Sequence, residues 1–357
     1  MEQFTANIAI EKTKQSKLSK TDFSNLEFGA VYSDHMLVAD YFDHKWNNPR
    51  IVPFQPITMS PAASVLHYGQ TVFEGMKAYR AKNGDVLIFR LDAHFKRLNK
   101  SCERLCIPAV DEKIFMEGLH QLVKMEEAWI PSEKECSLYL RPFVFASDEF
   151  IGVKPSSSYK FITFACPVAG YYKGTVKVII ETEYVRAAEG GIGFAKAGGN
   201  YAASLLPAKK ATEKGYQQIL WTDSVEHKYF EESGTMNVMF QIGDTLVTPP
   251  LSSSILAGIT RDSILTIARE WGVKVEERRI SVDEVVEAHK NGTLKDAFGT
   301  GTAATITHIA VINHNGVDME LPPVEKRELS NKLNDHILGL KYGDIEDTHG
   351  WIYRIKK

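Results

Sequence analysis

The sequence predicts a mixed α/β protein of two domains, and three observations carry that expectation. The chain has 357 residues, longer than one hydrophobic core commonly serves. Its first half reads as strands bracketing two helices, with two more strands after them, the pattern of a compact α+β domain. Beyond the stretch "AGYYKGT" (169–175), strands, hairpins and helices alternate. The expected division is a smaller N-terminal α+β domain over 1–168, a crossover at 169–175, and a larger C-terminal α/β domain over 176–357.

Each element follows from pattern. "GDVLIFR" is a strand, and the helix "LDAHFKRLNKSCERLC" follows it. Leu91, Phe95, Leu98, Cys102 and Leu105 share one helical face there, with Asp92 placed to cap the N-terminus. Arg97 falls off that stripe, so periodicity alone makes it a solvated residue. A second helix covers "EKIFMEGLHQLVKMEEAW", and "CSLYLRPFVFA" and "YKFITFACPV" are strands rich in aromatic and β-branched residues. In the second half "VKVIIET", "QQILWT", "NVMFQIGDTLVTPP" and "KVEERRIS" supply strands and hairpins. The helix in "TRDSILTIAREWG" is the most regular, with Ile264, Ile267, Ala268 and Trp271 at i, i+3, i+4 and i+7. Thr260 is its N-cap candidate, and Gly272 lies just past its end. Such an N-terminus attracts anions, although most bind only water.

Composition excludes several classes. A net charge of −3 leaves no basic footprint for nucleic acid. No apolar run reaches the 18 residues of a membrane span, and the first twenty residues lack the apolar core of a secretory signal. Four cysteines in no framework spacing read as reduced thiols, so the cytoplasm is the expected compartment. Cys102 and Cys106 have no partners to complete a metal site, and the eleven histidines form no ligand pair, so no metal is expected.

Four segments carry chemistry. "GIGFAKAGGNYAAS" (191–204) sets Lys196 alone among small residues, without the Gly-Lys-Ser/Thr of a phosphate loop. It is either a solvated loop lysine or an amine nucleophile in a tight pocket. "FEESGTMNVMF" places Glu232 ahead of a Ser-Gly-Thr turn. "FGTGTAATIT" is a small-residue turn with backbone N–H groups and threonine hydroxyls. "LYLRPFVF" puts Tyr139 and Arg141 on one strand face. Taken singly, Glu232 reads as a turn acid, the threonines as turn residues and Arg141 as half of an internal ion pair.

Together, "LHYGQTVFEGMKAYR", "LYLRPFVF", "KAGGNYAAS", "EESGTMN", "GITRDSIL" and "FGTGTAA" resemble, in order and spacing, the branched-chain amino acid aminotransferases. The resemblance runs from about Leu66 to Thr307. It implies the fold of type IV pyridoxal phosphate enzymes, two domains with the cofactor between them. It gives Lys196 the Schiff-base role and the proton transfer between substrate Cα and cofactor C4′. Glu232 is then expected at the pyridine nitrogen and Tyr201 at the ring's 3′ oxygen. Arg97 is expected on the phosphate, with the N–H groups of Ile259 and Thr260 and the hydroxyls of Thr260 and Thr302. Thr235 lines the ring.

For substrate, the resemblance assigns the α-carboxylate to Tyr139 and the N–H groups of Thr302 and Ala303. Phe73, Tyr171 and Tyr201 enclose the branched side chain, with Tyr68, Ile151 and Val153 reaching in from a second subunit of a homodimer. Arg141 pairs with the γ-carboxylate of glutamate. The implied reaction moves an amino group between L-leucine, L-isoleucine or L-valine and 2-oxoglutarate. Two departures leave that chemistry untouched: where some members carry a Cys-x-x-Cys pair this chain has Ala304 and Thr307, and Ala202 stands where many members have glycine. D-amino acid aminotransferase and aminodeoxychorismate lyase share the lysine and glutamate logic, but chain length and the "YLRP" and "FEGMKAYR" motifs separate them. A non-catalytic nucleotide-binding module leaves Lys196, Glu232 and Arg97 together unexplained.

Overall fold

The computed structural model describes residues 7–133, 135–170 and 174–357. Packing divides the chain into two units. The first holds the described residues of Met1–Tyr171 with Ala195–Gly198 and Gly339–Lys357. The second holds those of Tyr172–Phe194 with Gly199–Leu338.

Strands β1 (Ala9–Ile10), β2 (His35–Phe42) and β3 (Lys45–Pro53) open the chain. Helix α1 (Ser64–Tyr68) precedes β4 (Thr71–Phe73), β5 (Met76–Arg80) and β6 (Val86–Phe89). Helices α2 (Leu91–Arg104) and α3 (Glu112–Met125) then lead to β7 (Ser137–Ala146) and β8 (Tyr159–Val168). The sheet order is β1-β3-β2-β8-β7-β5-β6, with β4 against β7. The two-residue period of β7 sends Leu138, Leu140 and Val144 into the core, each with no exposed surface, and turns Tyr139, Arg141 and Phe143 to the other face. Helix α3 is capped by Asp111, whose carboxylate accepts from Ile114 N at 3.1 Å.

Helix α2 differs from expectation at both points read from its sequence. Asp92 sits in the first turn and does not cap, because Arg90 occupies the N-cap in the left-handed region (φ 54). The Arg90 N–H donates to Trp351 O at 2.6 Å and its guanidinium lies 4.9 Å from the Trp351 ring, so a tertiary contact sets where the helix begins. Nor is Arg97 solvated. His94, Leu98, Ser101 and Cys102 are all buried, so the inward face includes polar positions beside the apolar stripe.

The later part of the chain begins with β9 (Val176–Ile180), α4 (Gly198–Ala203), α5 (Leu205–Glu213), β10 (Gln218–Thr222) and β11 (Phe230–Ser233). It continues through β12 (Met236–Ile242), β13 (Thr245–Thr248), α6 (Ile259–Glu270), β14 (Lys274–Glu277) and α7 (Val282–Lys290). The last elements are β15 (Leu294–Gly301), β16 (Thr305–His314), β17 (Val317–Glu320), α8 (Glu328–Tyr342) and β18 (Ile352–Ile355). The second sheet runs β11-β10-β9-β16-β15-β12-β13-β14, parallel where β9 meets β10 and β16 and where β13 meets β14. Val178, Val238, Phe240 and Ile312 form the centre of its core.

Two segments pack outside the region the sequence assigned to them. β18 pairs antiparallel with β6, and Ala197 bridges Val72, so the C-terminus and the Lys196 segment belong with the first unit.

Candidate active site

Lys196 is held by its backbone. Its N–H donates to Ser101 Oγ at 2.9 Å, and its carbonyl accepts from Phe73 N at 3.0 Å. A solvated loop lysine has no such anchors. The ammonium lies 4.9 Å from the Phe73 ring centroid. Glycine is required close by, since a Cβ on Gly198 comes within 2.9 Å of the Thr71 methyl.

Arg97 projects from α2 three residues after His94, on the same face. Its Nε donates to Glu74 Oε1 at 2.6 Å and its Nη2 to Oε2 at 2.9 Å, while His94 Nδ1 donates to Oε2 at 2.7 Å. Glu74 is wholly buried. Burial alone raises its pKa, but the Arg97 and His94 charges and hydrogen bonds prevail and hold it well below the usual carboxylate range. Burial holds the His94 imidazole below its ordinary value, with Glu74 opposing.

Tyr139 and Arg141 come together as their spacing implies, with Arg141 Nη2 donating to the Tyr139 hydroxyl at 3.0 Å. The guanidinium lies 4.7 Å from the Phe73 ring, and its Nε is buried without a hydrogen-bond partner. Gly75 makes room for the phenol, because a Cβ there would overlap the Tyr139 hydroxyl. Burial raises the Tyr139 pKa, against the lowering effect of Arg141. Lys77 and Cys166 pair with Tyr139 across the sheet on either side. Burial lowers the Lys77 ammonium to about 8 and raises the Cys166 thiol to about 11. Tyr68, Ile151 and Val153 are exposed, by 43%, 67% and 91%. Tyr171 lies outside the described residues.

In the second unit Glu232 is buried on β11. Its Oε1 accepts from Asn237 Nδ2 at 2.9 Å and from Leu256 N at 3.1 Å, and its Oε2 pairs with Arg186 Nε. Arg186 Nη1 donates to Ser254 O at 2.7 Å, and both Nη groups reach Gly193 O. Sequence reasoning missed Arg186, Asn237, Glu74 and His94. Only the Glu232–Asn237 register across a tight hairpin was available as a signal. Tyr201 and Thr235 line one recess with Arg186, Asn200, Ser204 and Gly234.

Helix α6 begins one residue before Thr260, with Gly258 as N-cap and no side-chain cap. Thr260 is therefore a buried first-turn residue, a correction to its expected place. Gly258 is there because a Cβ would overlap Asn237 Oδ1. The first amide to bond back is Asp262 N, to Gly258 O at 2.9 Å, so those of Ile259, Thr260 and Arg261 precede the ladder. Thr302 and Ala303 sit half-buried in the turn between β15 and β16. Among the described residues no group of His, Cys, Asp and Glu is arranged to hold a metal ion, and no helix is long and apolar enough to cross a membrane.

An anchored lysine, arginine-paired buried glutamates and an uncapped helix N-terminus mark a class. The chain belongs to the amino-transferase class IV family, which it matches over residues 71–312. Within that class its relatives are branched-chain enzymes. It is 47% identical over 348 residues to branched-chain-amino-acid aminotransferase 2 of Bacillus subtilis, covering 96% of each chain. Among solved structures it resembles the Escherichia coli branched-chain amino acid aminotransferase, with a TM-score of 0.72 and 27% identity over 90% of this chain and 100% of that one. The fold is also that of the Thermobaculum terrenum enzyme in its PLP-form, with a TM-score of 0.72 and 23% identity over 91% and 99% of the two chains.

Proposed function

We propose that the protein transfers amino groups between branched-chain L-amino acids and 2-oxoglutarate, with pyridoxal phosphate bound through Lys196. The observation that carries this reading is the anchoring of Lys196, whose backbone is fixed on both sides while its amine faces the Phe73 ring. The donor set fits the cofactor. Arg97 and the α6 amides suit a phosphate, Glu232 suits a protonated ring nitrogen, and Lys196 suits an aldehyde carbon. Pyridoxal phosphate, when bound, supplies the sink for electrons released at the substrate Cα.

The chain's residues do the rest. Arg97, Thr260, Ile259 and Thr302 hold the phosphate, Glu232 keeps the ring nitrogen protonated, and Arg186 and Asn237 orient Glu232. Tyr201 donates to the 3′ oxygen, and Thr235 lies against the ring. Lys196 carries the proton between Cα and C4′. Tyr139, with the amides of Thr302 and Ala303, binds the α-carboxylate. Phe73 and Tyr201 surround the aliphatic side chain. The partnerless Nε of Arg141 supports a role toward glutamate's γ-carboxylate.

Exposed Tyr68, Ile151 and Val153 support a homodimer in which these side chains complete the neighbouring subunit's site. Four free cysteines support a cytoplasmic setting. The test is a comparison of substrates: amino transfer from L-leucine to 2-oxoglutarate is expected, with little turnover of D-alanine or aminodeoxychorismate. Preference for either of the latter overturns the reading.

A further inference from the structure

We propose that Glu74, with His94, is a positioning pair for the cofactor phosphate, acting through Arg97. The inference rests on reading Arg97 as a phosphate ligand. Glu74 touches no ligand in this account. It lies between β4 and β5, where its N–H donates to Pro142 O at 2.7 Å, so β7 fixes its backbone. Its carboxylate has no exposed surface, whereas the Arg97 side chain keeps 11%. The exposed member of the pair is thus the cation.

A fork through Nε and Nη2 fixes the plane of the guanidinium and turns Nη1 away from the carboxylate. A lone arginine on a helix samples many rotamers, and ordering it on a ligand costs entropy at each binding event. Glu74 meets that cost in the folded protein. His94 closes the other side of the carboxylate, since an anionic Oε2 only accepts and the Nδ1 must donate. The same helix face continues to Ser101, whose Oγ holds the Lys196 amide. One face of α2 therefore sets both the phosphate cation and the amine nucleophile.

A purely electrostatic view gives the opposite sign. A buried anion beside a phosphate dianion repels it, so removing the charge would tighten binding. Positioning predicts looser binding, confined to the phosphate. The full-length protein, freed of cofactor, is titrated with pyridoxal phosphate and with pyridoxal, following the absorbance of the bound form. For Glu74→Gln the Kd for pyridoxal phosphate is expected to rise about 10-fold or more, the range seen for residues that orient a ligand-binding group. The Kd for pyridoxal should hold within about 2-fold, and in an Arg97→Ala background Glu74→Gln should add little.

Tighter or unchanged binding of pyridoxal phosphate in Glu74→Gln, while Arg97→Ala loses its preference for the phosphorylated form, overturns the positioning role and spares the role of Arg97. Unchanged preference in Arg97→Ala overturns the reading of Arg97 and this inference with it. Equal weakening for both ligands in Glu74→Gln marks a merely structural residue and also overturns the proposal. Should Glu74→Gln fail to fold, His94→Leu and His94→Asn replace it. Leucine is expected to weaken phosphate-specific binding and asparagine, which keeps a donor near Nδ1, to restore it. Wild-type affinity in His94→Leu contradicts the pair.

Discussion

Each unit buries a Glu–Arg pair, and the proposed function uses the two in opposite senses. In the first, Glu74 is sealed and Arg97 is the partner left partly exposed, with side-chain exposures of 0% and 11%. In the second, both members are sealed, at 7% for Arg186 and 3% for Glu232. Arg186 spends its other donors on the carbonyls of Gly193 and Ser254. In the roles proposed above, Arg97 is a cation made rigid by an anion, and Glu232 is an anion held by a cation. In that reading the two cations differ in how their other donors are used: those of Arg186 go to backbone carbonyls, and Arg97 is assigned to the phosphate. Breaking such a pair from one side leaves an unpaired buried charge, which costs about 3–5 kcal/mol.

The largest effect is expected at Lys196. Lys196→Ala should lose turnover by at least about 10³-fold, the scale of a nucleophile and proton carrier together, yet still retain pyridoxal phosphate through Arg97 and α6. Steady-state rates and cofactor retention on gel filtration check both halves. Next comes Glu232→Gln, which should lower kcat by about 10²-fold, as for loss of one preorganised charge partner. Its Kd for the cofactor should shift only a few-fold. A variant that loses affinity and keeps kcat would erase the contrast between the two pairs.

Arg141→Gln should slow the glutamate half-reaction about 10–100-fold more than the leucine half-reaction, a discounted share of the cost of an unpaired buried charge. Single-turnover rates for the two amino acids measure this, and equal losses refute the role.

The first unit also buries lysines, and this gives a pH signature. Lys77 titrates near 8 when folded because burial disfavours its charge, against an ordinary value of 10.5. Lys341 is lowered in the same sense. Between about pH 8 and 10 the unfolded chain therefore binds more protons, and stability rises with pH, by roughly 1–2 kcal/mol. Urea unfolding midpoints across that window should show the rise, and Lys77→Met should flatten part of it.

The smallest effect is an expected absence. Burial raises the Cys166 thiol to about 11 and that of Cys102 to about 12, and Ala304 and Thr307 supply no thiol. Mild peroxide should leave activity essentially unchanged. A large loss restored by reductant would locate a switch elsewhere.

What was legible in the sequence follows from how local each role is. Lys196 among glycines, Glu232 before a tight hairpin, and Tyr139 with Arg141 on one strand face stood out because each placement is local, although their roles came only from the resemblance of the motifs together. Glu74 and His94 were not, since they meet across 20 residues and nothing near either announces the other. Arg97 was misjudged by periodicity for the same reason: a buried carboxylate partner makes a polar helix face an inward one. Cap positions failed where tertiary contacts decide. Trp351 sets the start of α2 through Arg90, and Asn237 leaves room only for glycine before α6. The strand pattern survived because alternation is local, whereas the return of β18 to the first sheet has no signal in its own four residues.

The central claim is that Lys196 is the amine that carries the cofactor. Treating the holoenzyme with borohydride fixes the cofactor to its lysine, and mass spectrometry of the digested protein then locates it. The account predicts the added mass on the peptide containing Lys196 and on no other. Finding it on Lys77 or another lysine, or recovering a holoenzyme with no fixed cofactor, would contradict it.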